Sequence, residues 1–570
     1  MTPQEFLDEF GTLAEAEGGV QKLRELILEL AVRGKLVEQD EDDEPASLLF
    51  ERIRAERDRQ FSEKIIRRGK ALPDRIENEL GFEIPLTWEW TQFGELGDWG
   101  AGATPRRGDD RYYGGDILWL KSGELNDGTV TESEEKITPK ALEDCSLRLN
   151  QPGDVLVAMY GATIGKLAIA GAECTTNQAV CACTCFDGVF NRFLFLLLKA
   201  AKRFFIANSS GAAQPNFSKE KIVRTSAPLP PLAEQHRIVA KVDELMRLCD
   251  GLEAVQKQRR GVRLRLNRSS LDRLTVVQSP AQVSAAWQRV CDHFEVLYDT
   301  PETLPDLRQT ILQLAVQGKL VKQDPNDEPA AELLERVACE KRNRIEQKKM
   351  KQQWVFNQIK DTDAPFDLAS GWQWSRIIDA VERVTVGHVG SMRTQYVSEG
   401  VPFLRCQNVR ENRFDPLGME FISAEFHEQL AKSRLEPRDV VVVRTGAMVG
   451  MTCVIPNSLE DANCSDLVII KQPMALISEY VSFFMNLMAK RNSEEQVVGI
   501  AIPHFNTKSV AALPIPVPPL PEQKRIVSKV TDLLSQVTRL ESTLTRREAT
   551  RTQLLTAAIH GLLSKNADYE

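Results

Sequence analysis

Apolar residues recur in alternating steps of four and three at two places in the chain. Ile238, Val242, Leu245, Cys249 and Leu252 form one series; Ile526, Val530, Leu533, Val537, Leu540 and Leu544 form the other. This spacing predicts a helix with an apolar a/d seam. Pro231 and Pro519 stand just upstream, where a helix can begin. Read from 232 to about 275, the first helix would be roughly 65 Å long at 1.5 Å per residue. Two seams at matching offsets are expected to pair with each other. A shorter helix is predicted where Ile27, Leu28, Ala31 and Val32 share a face, and Gly34 stops it at a C-cap position. The apolar runs 154–161 and 439–446 each end at glycine and read as buried strands. Residues 191–205 and 479–491 read as helices. Short strands with glycine-rich turns around a few helices predict α+β domains.

These elements occur twice. Residues 23–46 return at 307–330 with 17 of 24 positions identical, and 228–242 return at 516–530 with 11 of 15 identical. Offsets of 284 and 288 are too long for a solenoid. They mean two copies of a multi-part module, with pseudo-two-fold symmetry inside one chain. A tryptophan pair opens the stretch between the repeats in each copy (Trp88 and Trp90, Trp372 and Trp374), and a proline-rich hinge closes it at 227–232 and 515–520. Leu554, Leu555, Ala558, Ile559 and Gly561 form a fainter third copy of the short helix. The expected segments are 1–80, helical; 81–230, a first mixed domain; 231–303, a long helix and linker; 304–365, a helical repeat of the first segment; 366–515, a second mixed domain; and 516–570, a second long helix.

Composition narrows the function classes. The 570 residues are 42% hydrophobic and 27% charged, as expected of a soluble globular protein. The acidic N-terminus is not a signal peptide, and no apolar run reaches membrane-spanning length. Eleven cysteines without a disulfide framework fit a reducing cytoplasm. A net charge of −9 argues against non-specific coating of nucleic acid, yet residues 192–224 carry seven Lys/Arg against one acid and 52–70 carry eight against three. Gly161–Lys166 has one residue too few between its glycines for a phosphate-cradling loop, and Leu167 stands where Ser or Thr would bind magnesium. It reads instead as a tight turn presenting Tyr160, Thr163 and Lys166. Cys181, Cys183 and Cys185 share a strand face and lack zinc-type spacing, which predicts core packing. The six histidines form no metal pair. No methyltransferase or nuclease signature stands out.

The segment 102–125, GATPRRGDDRYYGGDILWLKSGEL, resembles the target recognition domains of Type I restriction-modification specificity subunits. PGDVLVAMYGATIGKLAI (152–169) and QPNFSKEKI (214–222) resemble the same domain further along, and PLPPLAEQHRIVAKV and LRQTILQLAVQGKLV look like that family's helical repeats. The second domain departs more, with VPFLRCQNV (401–409), IPHFN (502–506) and no Gly-x-Thr-Pro. The resemblance implies an α+β fold in which two mixed α/β target recognition domains are held by long helices forming an intramolecular antiparallel coiled coil. It implies a non-catalytic subunit that reads an asymmetric bipartite site in double-stranded DNA. Partners would be modification (methyltransferase) subunits, two of them, and restriction/translocase subunits. S-adenosylmethionine, ATP and Mg would belong to those partners, with no cofactor held by this chain. The N-terminal copy of the short helix is expected to pack near the C-terminal helix.

Sequence is read at base edges by Arg, Lys, Asn and Gln, whereas phosphate contacts set register. Candidate readers in the first domain are Thr104, Arg106, Arg107, Lys121, Ser122, Glu124, Tyr160, Thr163, Lys166, Asn177, Gln178, Gln214 and Asn216. Those in the second are Arg405, Gln407, Asn408, Arg410, Arg444, Thr445, His504 and Asn506. A repeated frame carrying unlike domains predicts two different half-sites separated by an unread spacer, with the long helices as the ruler. The alternatives are the specificity chain of a two-subunit cut-and-modify (Type IIB-like) enzyme, and a coiled-coil scaffold that ignores DNA.

Overall fold

The structure is a computed structural model that describes residues 14–16, 18–66, 72, 82–209, 216–277, 280–357, 359, 364, 366–491 and 505–564. The chain divides into two compact units, Met1–Arg259 with Glu548–Glu570, and Arg260–Arg547. The helices that carry the frame are α1 (Gly19–Val32), α2 (Ala46–Ser62), α3 (Asn191–Ala207), α4 (Leu232–Val276), α5 (Leu304–Val316), α6 (Ala330–Glu346), α7 (Ser478–Arg491) and α8 (Leu520–Ser564). The two long helices, α4 and α8, have 45 residues each. The boundaries between the units, after Arg259 and after Arg547, fall within α4 and α8. Among the described residues no helix is long and apolar enough to cross a membrane.

In the first unit, β1 (Glu89–Gln92) pairs antiparallel with β10 (Ser226–Leu229), so the chain enters and leaves the sheet domain side by side. Between them lie β2 (Gly97–Ala101), β3 (Tyr113–Leu120), β4 (Thr129–Val130), β5 (Glu135–Ile137), β6 (Val155–Ala158), β7 (Leu167–Ala170), β8 (Cys174–Thr176) and β9 (Val180–Cys185). They form a five-stranded sheet, β2-β9-β6-β7-β4, and a three-stranded one, β5-β3-β8. The second unit repeats the entry pair with β11 (Gln373–Arg376) on β23 (Pro514–Val517). Its inner strands are β12 (Val381–Val386), β13 (Tyr396–Val397), β14 (Val401–Leu404), β15 (Val409–Arg410), β16 (Arg413–Phe414), β17 (Glu420–Ile422), β18 (Arg434–Leu435), β19 (Val440–Val443), β20 (Thr452–Val454), β21 (Ala462–Cys464) and β22 (Leu467–Pro473). The sheets run β12-β22-β19-β20 and β13-β17-β14-β21-β18, with β15-β16 as a separate ribbon. The α+β expectation holds in both copies.

The apolar seams are buried, and the core that each enters is its own unit's. Ile238, Val242, Leu245 and Cys249, with half-buried Leu252, share a core with Leu23, Leu26, Ile27 and Leu30 of α1. Ile559 near the end of α8 packs on that same core. Ile526, Val530, Val537 and Leu544, with half-buried Leu533 and Leu540, share a core with Leu307, Ile311 and Leu314 of α5 and with Leu271 and Leu274 near the end of α4. The short helix is therefore an additional partner of each seam, and what joins it from the other long helix is the final stretch rather than the facing seam. Polar contacts repeat the arrangement. Arg24 bonds Asp250 and Glu253 at 2.7 and 2.8 Å, and Arg308 bonds Thr538 and Glu541 at 3.0 and 2.8 Å. Lys22 reaches Thr556 at 3.1 Å, which sets the N-terminal short helix against the C-terminal helix. Gly34 and Gly318, at φ 68° and 69°, end α1 and α5 in the left-handed region that a side chain disfavours.

One polar node joins frame to sheet domain in each unit. In the first, Trp88 Nε1 donates to Glu234 Oε2 at 2.9 Å, and Gln235 accepts from Phe190 N at 2.8 Å while donating to the Pro230 carbonyl at 3.1 Å. Arg237 clamps Asp43 at 2.6 Å. In the second, Trp372 Nε1 donates to Glu522 Oε2 at 3.0 Å, Gln523 accepts from Ile477 N at 2.8 Å and donates to the Pro518 carbonyl at 2.9 Å, and Arg525 clamps Asp327 at 2.7 Å. The copies differ at one oxygen. Glu234 Oε1 accepts from Gln39 Nε2 at 2.7 Å, whereas Glu522 Oε1 has no partner among the described residues. Burial raises both carboxyls, and Glu522 is pushed up to about 7.

A carboxyl held above its unfolded value of 4.5 binds its proton more tightly in the folded state. Its contribution to stability is complete below pH 4.5 and is lost as pH rises through about 7. Denaturant titrations from pH 5 to 8 should show stability falling with pH more steeply in the natural chain than in Glu522→Gln, by up to about 1.4 kcal/mol per pH unit. Parallel pH profiles would refute this account of the node.

Candidate nucleic-acid interface

The turn-borne candidates gather at one end of each sheet domain because strand direction puts them there. In the first unit β3 and β8 run parallel and end together at Leu120 and Thr176. β6 ends at Ala158 opposite Val180, where β9 begins. Backbone bonds lace the emerging turns: Asn177 N to Leu120 O at 2.9 Å, Met159 N to Ala179 O at 2.8 Å, Gly102 N to Val180 O and Ala103 N to Thr176 O, both at 3.0 Å. The turns carrying Thr104–Arg107, Lys121–Glu124, Tyr160–Lys166, Asn177–Gln178 and, through a bridge to Tyr160, Asn216 are thus neighbours. The opposite end of β9 leads to Phe190 and the Gln235 node, so the candidate readers and the frame occupy opposite ends of the same strands.

The side chains divide by what they already bond. Arg106 is exposed and makes no side-chain hydrogen bond or ion pair among the described residues. Arg107 lies over the Tyr113 and Trp119 rings, 5.1 and 5.0 Å from their centroids, with its guanidinium 2.6 Å from Glu135. That ion pair, with its hydrogen bond, holds the Glu135 carboxyl below the usual range. Lys121 bonds Glu134 at 2.8 Å and Glu135 at 3.1 Å. Lys166 reaches the Gly123 carbonyl at 3.5 Å, and Thr104 bonds Gln178. Ser122 is half-buried on the same turn. Three candidates spend their polar groups on the turns themselves. Glu124 accepts from the Lys121 and Glu134 amides, Thr163 donates to the Tyr160 carbonyl, and Asn177 accepts from the Ala179 amide. Cys181 and Cys183 are buried as expected, and burial pushes the Cys181 thiol up to about 12.

The second unit repeats the end with other chemistry. β14 and β21 end together at Leu404 and Cys464, and β19 ends at Val443. Arg405 bonds Glu420 at 3.1 Å and lies 5.8 Å from the Tyr396 ring centroid. Arg444 bonds Asp466 at 3.0 Å, and Thr445 bonds the same carboxylate at 3.3 Å. Gln407 donates to the Gly418 carbonyl at 2.8 Å, and Arg410 lies 3.6 Å from Asp415. Asn506 caps the short helix that follows it by accepting from Ser509 N at 2.9 Å. Gln214 and His504 lie outside the described residues.

Asn408 is corrected from reader to turn support. It is fully buried, its oxygen accepts from Arg405 N at 3.0 Å, and its amide donates to the Asp415 and Leu417 carbonyls at 3.0 and 3.2 Å. No base edge can reach it. The turn after β12 was missed by sequence reasoning, which looked for a second Gly-x-Thr-Pro. There His388 N bonds the Cys464 carbonyl at 2.8 Å, in the place that Ala103 N takes on Thr176, and Arg393 and Thr394 are exposed beyond it. Arg393 makes no side-chain hydrogen bond or ion pair among the described residues. The repeat offset of 284 carries Ala103 to within one residue of His388 and was the signal available.

Known proteins resemble this chain along most of its length. A family profile described as Type I restriction modification DNA specificity domain matches residues 85–259 and 391–547. The Type I restriction enzyme EcoAI specificity subunit of Escherichia coli is 30% identical over 551 residues, spanning 90% of this chain and 89% of its own. The EcoEI specificity subunit of the same organism is 29% identical over 564 residues, with the same shares. Among solved structures, the HsdS subunit from Thermoanaerobacter tengcongensis superposes with a TM-score of 0.43 at 18% identity, covering 85% of this chain and 99% of that one.

The division of labour at the turns makes a testable distinction. Asn408→Ala should destabilise the second unit by about 1–3 kcal/mol, because it removes the three hydrogen bonds that this buried side chain makes to its own turn, while Arg393→Ala should leave its melting temperature unchanged. Equal melting curves for both variants would return Asn408 to the reader set.

Proposed function

Because the chain belongs to the family of Type I restriction-modification specificity proteins, we propose that it reads a two-part DNA sequence and presents that DNA to catalytic partners. The observation that carries this reading is the repetition of one reader end on two copies of one frame, with different side chains at each. Identical readers would fit a palindrome. Arg106, Arg107 and Lys121 at one end, and Arg405, Arg444 and Arg393 at the other, fit two unlike half-sites. Arg presents a planar fork that suits the O6/N7 edge of guanine. Arg107 is already held beside two rings and by Glu135, so less side-chain entropy is lost when it docks.

The chain supplies recognition and no chemical step. Methyl transfer and cleavage belong to modification and restriction subunits, which bring S-adenosylmethionine, ATP and magnesium. Two modification subunits, one for each copy of the frame, fit the internal repeat. The continuous α4 and α8 act as the ruler that sets the unread spacer.

Sequencing that detects methylated bases in the host genome should return an asymmetric bipartite motif. The assembled complex should prefer that duplex over random DNA in competition. In Arg106→Ala, selectivity should relax in the first half-site alone, by about 1–3 kcal/mol at the base affected. Uniform weakening on every sequence would mark Arg106 as a phosphate contact, and binding indifferent to sequence in the natural complex would defeat the reading.

A further inference from the structure

The second unit carries a cationic turn that the reader assignment leaves unused. After α6 the chain runs Gln347–Gln352 through an exposed turn containing Lys348, Lys349 and Lys351, with Arg342 exposed on the last turns of the helix. None of these four makes a side-chain hydrogen bond or ion pair among the described residues. Their neighbours are otherwise engaged. Lys341 points inward to the Ile378 and Val381 carbonyls, and Arg344 pairs with Glu340. Glu346 is the one acid between 341 and 353.

The turn is fastened beside the sheet. Gln353 Nε2 donates to Val384 O and Gln353 Oε1 accepts from Val384 N, both at 2.9 Å. This two-way bond caps the free edge of β12, which is the outer strand of its sheet. Val384 stands two residues, about 7 Å at strand rise, before the end of β12 where the His388–Arg393 turn begins. Three unneutralised lysines thus sit on the turn that is fastened along β12 toward the reader end, with Arg342 further back, next to the Lys341 that bonds the start of that strand. The first copy carries the same pattern in sequence, with Lys64, Arg67, Arg68 and Lys70 after α2; Arg67, Arg68 and Lys70 lie outside the described residues.

We infer that Lys348, Lys349 and Lys351, with Arg342, form an arm that binds the DNA phosphate backbone beside the second half-site. The arm rests on the reading of this chain as a DNA-recognition subunit and adds a register-setting contact to it. Lysine suits that role: a compact charge on a flexible stem neutralises phosphate without discriminating among bases. An acidic protein segment would satisfy the same charges, but the fastening of the turn beside the reader end favours the nucleic acid.

The test uses the chain assembled with its modification partner, on the methylated-motif duplex and a scrambled one, across 50–300 mM salt. The triple variant Lys348→Gln, Lys349→Gln, Lys351→Gln should bind both duplexes about tenfold or more weakly at 100 mM, by similar factors. Its slope of log affinity against log salt should be shallower by about 0.9 for each phosphate contact removed. The triple Lys→Arg variant should keep the natural slope, and the methylated motif should not change. An unaltered slope in the Gln variant, with motif preference intact, overturns the arm alone. So does an altered base preference. A natural complex that does not prefer its motif overturns the underlying reading instead.

Discussion

A carboxylate taken out of water must be given a partner, and that requirement organises this protein. Glu234 and Glu522 are buried at the starts of the two long helices, each held by an indole N–H from the residue just before the first strand of its sheet domain. Burying such a group unpaired would cost several kcal/mol, so the tryptophan, the helix start and the extended proline segment can settle in only one mutual arrangement. The neighbouring glutamine extends the constraint by bonding backbone groups on both sides of it. The arginine two residues further on ties in the loop after the short helix. Short helix, sheet domain and long helix are thereby fixed by three polar positions within four residues, twice.

Much of this was legible in the sequence, though not the pairings. The tryptophan pair and the Glu-Gln-x-Arg run were visible as repeated markers, yet 146 residues separate Trp88 from Glu234 and no local signal announces their bond. The heptad steps identified which face of each long helix is buried. Periodicity reports a stripe, not its cover, and so the short helices α1 and α5 went unnoticed as partners. At the reader ends, polar residues after apolar runs located the turns correctly. They could not separate Asn408, which stitches its own loop, from Arg106, whose side chain makes no hydrogen bond or ion pair among the described residues, because asparagine in a turn serves either purpose. The His388–Arg393 turn escaped because its motif differs although its place in the repeat does not.

Charge at the reader ends is arranged locally, against a net charge of −9. Arg107, Lys121, Arg405 and Arg444 are each paired with a carboxylate at 3.1 Å or less. Exposed pairs of this kind add little to stability. They hold the cations in place at small cost, and under the proposed function they are the pairs that base or phosphate acceptors would replace. Such pairing also lowers the free positive charge that would otherwise grip any duplex, leaving geometry to decide which sequence is held.

The antiparallel entry and exit strands, β1 with β10 and β11 with β23, bring the two ends of each inserted domain to neighbouring positions, about 4.8 Å apart across a ladder. Whatever lies between them need only begin and finish at that doorway. A reader of different length or composition can therefore be exchanged as a cassette without re-engineering the chassis, and diversification of what is read is mechanically uncoupled from the upkeep of what does the holding.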